Sequence, residues 1–200
     1  MKNTLYIVLA ILVIILVRNW EGRDIQHEPG ILVPESPVQR NLAQPKTFGV
    51  GNFILTPRAE FRIRARVLSR ENYYMGDEAE LSPVDLALGW GVMSDQAVLE
   101  RIDISQGGRW YFTRYEYPAP LSDQQIIHNS GNVHMIPAND WVRDKLDDIR
   151  GGDLIQARGF LVDVDREDGF YWRTSRSRTD SGGGSCEIFY VEQIHLEPRP

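Results

Sequence analysis

The sequence has a single cysteine, Cys186, and this thiol is its clearest candidate for a nucleophile. A thiolate attacks a carbonyl carbon when a nearby base or cation lowers the pKa of the thiol and when donors stabilise the oxyanion that forms. His134 lies on a predicted strand and could serve as the base, while Arg176 and the run Gly182–Gly184 lie just upstream of the cysteine. These residue types allow a cysteine-dependent acyl-transfer site made of Cys186, His134 and Arg176. The alternative, which we favour, is a small apolar side chain at the start of a strand.

This layout is similar to that of sortases, which are membrane-anchored β-barrel transpeptidases. They have a histidine before a strand that opens with Gly-Asp, here Gly152–Asp153, and a cysteine at the end of a late strand. The resemblance covers the last seventy residues or so and implies Cys186 as nucleophile and His134 as base. Sortases carry Thr-Leu-x-Thr-Cys, whereas this chain has Gly183–Cys186, and the arginine expected on the following strand is missing. We therefore do not assign the chain to that family.

A row of arginines suggests a different chemistry. Arg62, Arg64 and Arg66 alternate with apolar residues between Phe61 and Val67, which is the period of two that is typical of a half-buried strand. Three guanidinium groups on one strand face could bind an anionic glycan or a lipid headgroup. The alternative is a solvated face whose charges pair with acidic residues on neighbouring strands, and we favour it over the binding site.

Two tryptophans are further candidates for ligand contact. Trp90 lies between Gly89 and Gly91, where the chain could approach a partner closely, and Trp110 lies in an aromatic-rich segment, 109–117. Both side chains could equally pack within the protein, and packing is the commoner use of such residues. We predict no metal and no cofactor, because the spacing of His128 and His134 does not complete a four-ligand zinc site.

The elements that must position these residues are mostly strands. We predict strands over 61–67, 109–117, 154–164, 170–174 and 186–195. Helix-start signals occur at Ser82, at Ser94 or Asp95, and at Asn139; the last precedes an apolar stripe of Trp141, Val142, Leu146 and Ile149. The pattern predicts a mainly β domain, a small curved antiparallel sheet or barrel of the OB-like or a related type, with two or three short helices.

The N-terminus carries thirteen consecutive apolar residues, Leu5–Val17, between Lys2 and Arg18. At 1.5 Å per residue this run spans roughly 20 Å and needs its flanks to cross a hydrocarbon core of about 30 Å. No small-x-small cleavage site follows, so a retained signal anchor is favoured over a cleaved signal peptide. We predict an anchor over 1–20 that meets the bilayer through residues 4–20, a proline-containing tether over 21–50, and an extracytoplasmic domain over 51–200 at the inner membrane.

The net charge of the chain bears on which class of partner it could bind. The chain has 200 residues, 22 Lys and Arg against 28 Asp and Glu, and a net charge of −6. Nucleic-acid binding is disfavoured, because it relies on an excess of basic groups. The sequence favours a non-catalytic envelope accessory that acts on a protein partner. The alternatives are the cysteine enzyme and a binder of an anionic ligand through the arginine face.

Overall fold

The computed structural model of the protein describes residues 24–177 and 186–200. It is mostly β, with a large curved sheet and four helices. The strands are β1 (Val38–Asn41), β2 (Phe48–Val50), β3 (Phe53–Asn72), β4 (Val84–Gly89), β5 (Asp103–Gly107), β6 (Trp110–Arg114), β7 (Ser130–Pro137), β8 (Leu154–Asp165), β9 (Tyr171–Trp172) and β10 (Glu187–Leu196). The helices are α1 (Asp77–Leu81), α2 (Gln96–Leu99), α3 (Asp123–Asn129) and α4 (Asp140–Asp147), with a 3-10 turn at Gly91–Ser94.

Strand pairing in the main sheet returns to the strand where it starts. The long strand β3 pairs with β4, β4 with β7, β7 with β10, β10 with β8, and β8 pairs again with β3. Strands β5 and β6 form a separate hairpin. The prediction of an antiparallel sheet is wrong for one pair, since β7 and β10 are parallel. The long connection between them, which includes α4 and β8, makes this direction feasible.

The core lies on the inner side of these five strands. Along β3 the apolar residues Phe61, Ile63 and Val67 are buried, as the alternation in the sequence predicts. Phe61 meets Phe189 of β10 edge to face, with ring centroids 5.1 Å apart. Each fully buried side chain of this size contributes about 1.5–3 kcal/mol, so this core supplies the main driving force for folding.

The helix predictions have mixed outcomes. Asn139 begins α4 as predicted, and its side chain accepts a hydrogen bond from the backbone N–H of Val142 at 3.0 Å. Trp141 does not join the buried stripe; it is 54% exposed. The helix predicted to start at Ser82 is wrong, because the next residues form β4, in which all six residues are buried. A strand buried on both faces lacks the alternation of apolar and polar residues that identifies strands. The capping signal at Ser82 is therefore the stronger local pattern, and it predicts a helix where a strand forms.

Part of the predicted tether belongs to the folded unit. From Asp24 onward the chain packs along the domain: the backbone N–H of Ile25 donates to Gly151 O at 2.8 Å, and Val33 is fully buried. Arg64 donates to Leu32 O at 2.9 Å. Within the residues that the structure describes, no helix is long and apolar enough to cross a membrane. The predicted anchor over 1–20 lies outside the described residues.

Candidate functional site

The densest group of polar side chains lies on the outer face of β4 and β7. Asp85 of β4 and His134 of β7 are directly opposite each other in the strand register, and Asn132 lies two residues before His134 on the same face. All three side chains are buried: Asp85 is 0% exposed, His134 3% and Asn132 5%. The alternate residues of these strands, such as Leu86 and Val133, point into the core. A layer of chain therefore covers this polar face.

The hairpin β5–β6 supplies that cover through Arg109. At the hairpin turn Gly108 and Arg109 have positive φ angles of 59° and 70°, the conformation that two-residue hairpin turns require. This turn directs the guanidinium inward, where Nη1 lies 2.6 Å from Asp85 Oδ1 and Nη2 donates to Ser82 O at 2.9 Å. The guanidinium also lies 3.7 Å from the centre of the Tyr73 ring, and the Arg109 N–H donates to Tyr73 Oη at 2.9 Å. Arg109 thus joins the hairpin to β4 and to the end of β3.

His134 is the second partner of the buried carboxylate. Its Nδ1 lies 2.9 Å from Asp85 Oδ1, and the contact lacks the geometry of a hydrogen bond. The other carboxylate oxygen, Asp85 Oδ2, has no hydrogen-bond partner among the described residues. The Trp172 ring covers the imidazole, with centroids 4.5 Å apart. A charge with so little exposure is stable only with such partners, so the cluster depends on each of its members.

Cys186 lies beside this cluster. Its Sγ is 3.9 Å from Asn132 Nδ2 and 3.9 Å from Arg109 O. Asn132 itself is held by Gln106, whose Nε2 donates to Asn132 Oδ1 at 2.6 Å. No hydrogen bond joins Cys186 to His134 within the described parts of the chain, and the Nδ1 atom of the imidazole lies 2.9 Å from Asp85 Oδ1. The structure thus brings the predicted nucleophile and base to one face without linking them.

The third member of the predicted catalytic set, Arg176, is exposed. Its backbone carbonyl accepts a hydrogen bond from Gln39 Nε2 at 3.1 Å. In residues 24–177 and 186–200, its guanidinium makes no hydrogen bond to Cys186 or to His134. The acyl-transfer site remains a prediction.

The arginine row is not a uniform face. Arg66 is buried and donates to Ser94 O at 3.2 Å and to Gln96 Oε1 at 2.5 Å, and its burial lowers the pKa of the guanidinium. Arg64 binds the carboxylate of Glu197 with Nε and Nη2, at 2.6 and 2.8 Å. That hydrogen bonding raises the pKa of Arg64 and lowers the pKa of Glu197 to about 2. Two of the three predicted ligand-binding arginines are therefore engaged within the protein, and Arg62 is exposed.

The two predicted tryptophans have different environments. Trp90 is 3% exposed in the main core, and its indole N–H donates to His128 O at 3.1 Å. Trp110 lies on β6 and is 44% exposed. Packing therefore accounts for Trp90, whereas Trp110 faces solvent.

Large apolar side chains are exposed on the segments that contain Arg109 and the two aromatic residues that contact it, Tyr73 and Trp172. Each lies on the β5–β6 hairpin or within two residues of one of those aromatic residues in the chain, and they are 44–91% exposed. We call the following five residues the aromatic surface: Tyr74, Met75, Trp110, Phe112 and Tyr171. Tyr74 and Met75 follow Tyr73, Trp110 follows Arg109, and Tyr171 precedes Trp172, whose ring centre lies 5.5 Å from the guanidinium carbon.

Sequence reasoning missed Asp85, Arg109, Tyr73 and Trp172. A signal for Asp85 exists, because it is a lone carboxylate inside an otherwise apolar run, Val84–Gly89. Such a residue in a buried strand needs a cationic partner, but nothing in the sequence indicates that a hairpin turn supplies it. No three His, Cys, Asp or Glu side chains in the described residues are grouped so as to hold a metal ion.

Comparison with known proteins finds no matching family model, no matching curated protein and no matching solved structure.

Proposed function

We propose that this protein is a non-catalytic module of the cell envelope that binds another protein through the aromatic surface. The observation that carries the proposal is the convergence of three segments on Arg109, each of which exposes a large apolar side chain at a neighbouring position. Tyr, Trp, Phe and Met are the residues that protein interfaces favour, and an exposed apolar patch of this kind is typical of an interaction site.

The buried cluster beneath the surface supports this function. Arg109 is held by Asp85, by Ser82 O and by the Tyr73 ring, so the segments that carry Tyr74 and Trp110 are ordered before any partner arrives. A preorganised surface binds more tightly, because less conformational entropy is lost on association. The role that we assign to Asp85 and His134 is therefore to position the surface.

We further propose that the ring of β3, β4, β7, β10 and β8 is an OB-like barrel. The support is the order in which the five strands pair, which includes one parallel pair. In chain order, helix α4 also lies between the third and the fourth of these strands, β7 and β8. Ligands of OB-type barrels bind on the face of the second and third strands and on the flanking loops. In this chain those strands are β4 and β7, the same pair that carries the candidate site. The net charge of −6 favours a protein partner over a nucleic acid.

The proposed location rests on the sequence. The apolar run Leu5–Val17 is typical of a signal anchor, and we infer that it holds the domain on the extracytoplasmic side of the inner membrane. Alkaline carbonate washing of membranes tests the anchor, and the chain is expected to stay in the pellet. Protease added to spheroplasts tests the side, and digestion of the domain is expected. Extraction into the soluble fraction, or protection in intact spheroplasts, contradicts the corresponding part of the proposal.

Photo-crosslinking in the cells that make the protein tests the binding function. A photoreactive phenylalanine analogue replaces Trp110 or Tyr74 in the full chain, and the matched control replaces Trp141, a tryptophan of helix α4 that is also exposed (54%, against 44% for Trp110). We expect one adduct of defined mass from positions 110 and 74, lost when the neighbouring Phe112→Asp change is added. The same adduct from position 141, or none from 110 and 74, overturns the proposal.

A further inference from the structure

A groove of about 1000 Å³ crosses the outer face of β3, β8 and β10, away from the aromatic surface. Strand β8, which forms its floor, pairs with neither β4 nor β7, so the groove lies on a different part of the strand ring. Its size is at the upper end of the range of small-molecule sites. The groove is bordered by the segment that leads into β1 and by the start of α4.

Two arginines face each other on the floor of this groove. Arg62 of β3 and Arg158 of β8 are directly opposite in the antiparallel register, and both are exposed. Opposite residues of such a pair have Cβ atoms about 5 Å apart, and like charges at this spacing are destabilising. Among the described residues, neither guanidinium has a hydrogen bond or an ion pair. The neighbouring arginine on β3, Arg64, differs from both, because it donates two hydrogen bonds to the carboxylate of Glu197.

We propose that Arg62 and Arg158 bind the phosphate of a phosphorylated sugar. Each guanidinium is a planar fork that donates two parallel hydrogen bonds to an anion, and a ligand between two such forks meets two positive charges, whereas a carboxylate supplies two oxygens and one negative charge. A phosphomonoester has three terminal oxygens and a charge close to −2 at neutral pH, so it can accept from both forks and cancel their repulsion. These two properties favour phosphate over carboxylate.

The rest of the groove matches a sugar ring. Trp141 is 54% exposed at the start of α4 and offers a flat apolar face of the kind on which a sugar ring can pack. The groove is also lined by side chains that can accept or donate hydrogen bonds to hydroxyl groups: Gln156, Gln193, His195, Glu192 and Glu35. The two glutamates lie on the β10 and β1 sides of the arginine pair, and as acceptors they suit neutral hydroxyl groups and repel a second anion. The donor set therefore selects a ligand with one phosphate and several hydroxyls.

Calorimetric titration of the purified full chain, in a non-ionic detergent at low salt, tests this site with glucose 1-phosphate as the probe. We expect saturable binding, at least tenfold weaker in Arg62→Ala and Arg158→Ala and several-fold weaker in Trp141→Ala. Arg143→Ala is the matched control, because Arg143 is an exposed arginine of the same helix as Trp141 but does not line the groove, and it should bind as the parent does. Absence of binding to the parent, or binding by Arg62→Ala and Arg158→Ala that is as tight as that of the parent, overturns the proposal.

Further probes identify which part of the ligand is recognised. Glucose should bind at least tenfold more weakly than glucose 1-phosphate, and so should glucuronic acid, which carries a carboxylate at carbon 6 and no phosphate. Inorganic phosphate should compete, but more weakly than the sugar phosphate. Equal binding of glucuronic acid contradicts the selection of phosphate, and equal binding of inorganic phosphate contradicts the role of Trp141.

The unpaired arginines also predict a result without ligand. Arg158→Gln removes the like-charge repulsion, so we expect its thermal midpoint to be at or above that of the parent, and saturating glucose 1-phosphate to raise the midpoint of the parent only. A clear fall in the midpoint of this variant without ligand overturns the argument from repulsion. Neither result depends on the aromatic surface, so this proposal and the proposed protein-binding function fail independently.

Discussion

Arginines have opposite environments on the β4–β7 face and in the groove across β3, β8 and β10. On the β4–β7 face, Arg109 is held by a buried carboxylate and an aromatic ring, and the groups left for a partner are apolar. In the groove across β3, β8 and β10, Arg62 and Arg158 are exposed and face each other. A paired and buried cation contributes to the shape of a surface, whereas an unpaired one remains free to attract an anion. Our two proposals therefore assign the same residue type to a protein contact in one place and to ligand binding in the other.

The largest expected effect comes from removing the carboxylate beneath the aromatic surface. Asp85→Ala leaves the guanidinium of Arg109 and the imidazole of His134 without their shared partner, and breaking a buried pair costs about 3–5 kcal/mol. Urea denaturation of the purified full chain measures the loss. Glu60→Ala is the control, because its pair with Arg40 is exposed, and we expect no resolvable change. Equal effects of the two substitutions would show that the proposed difference between buried and exposed pairs is wrong.

A second substitution addresses β8, the strand that forms the floor of the groove. Gly159 of β8 faces the bulge of β10 between Val191 and Gln193, and an added Cβ would collide with the Tyr190 carbonyl oxygen. Gly159→Ala should therefore cost about 1–3 kcal/mol, as overpacking does in a rigid setting. It should also weaken the binding of glucose 1-phosphate while leaving the adduct from position 110 unchanged. A loss of that adduct would mean that the two surfaces are not independent.

The dependence of stability on pH distinguishes Arg64, which is paired with Glu197, from its neighbour Arg62. The hydrogen bonds from Arg64 lower the pKa of Glu197 to about 2, so the stabilisation is fully present above the ordinary pKa of 4.5 and is lost as the pH falls toward 2. Because the guanidinium is 34% exposed, solvent screening limits this contribution to about 1 kcal/mol.

Glu197→Gln measures this contribution directly. The variant should lose less stability than the parent between pH 6 and pH 2.5, by about 1 kcal/mol, in parallel urea titrations. Identical pH dependence of the two proteins would show that the ion pair stabilises nothing.

The smallest expected effect concerns the thiol. Cys186→Ser changes the size of the side chain little and keeps a hydrogen-bond donor beside Asn132 and the Arg109 carbonyl, so it should change the unfolding free energy by less than about 1 kcal/mol and leave partner binding intact. Iodoacetamide should label the native thiol slowly at neutral pH and rapidly after denaturation. Rapid labelling of the native protein, with an apparent pKa below about 7, would favour the acyl-transfer alternative.

Much of the architecture follows from local sequence patterns. The alternation along Phe61–Val67 places the apolar side chains of β3 inward, and the cap at Asn139 begins α4. These predictions succeed because they depend on the period of a strand and on local hydrogen bonds, both of which are properties of neighbouring residues. Ser82 is a case in which a local pattern is not enough. The same kind of capping signal occurs there, but a strand follows, because burial of Val84–Gly89 on both faces overrides the local preference for a helix.

The mainly β class, the acidic charge, the apolar N-terminal run and the positions of the arginines follow directly from the order of the residues. It did not distinguish Arg62, Arg64 and Arg66, which have the same parity on the same strand. Only the tertiary structure separates them, since Arg62 meets Arg158, Arg64 meets Glu197 and Arg66 is buried against Gln96. Those partners lie 30 to 133 residues away in the chain. The energy of a charge depends on what lies within a few ångströms of it, and distant segments of the chain supply those neighbours here.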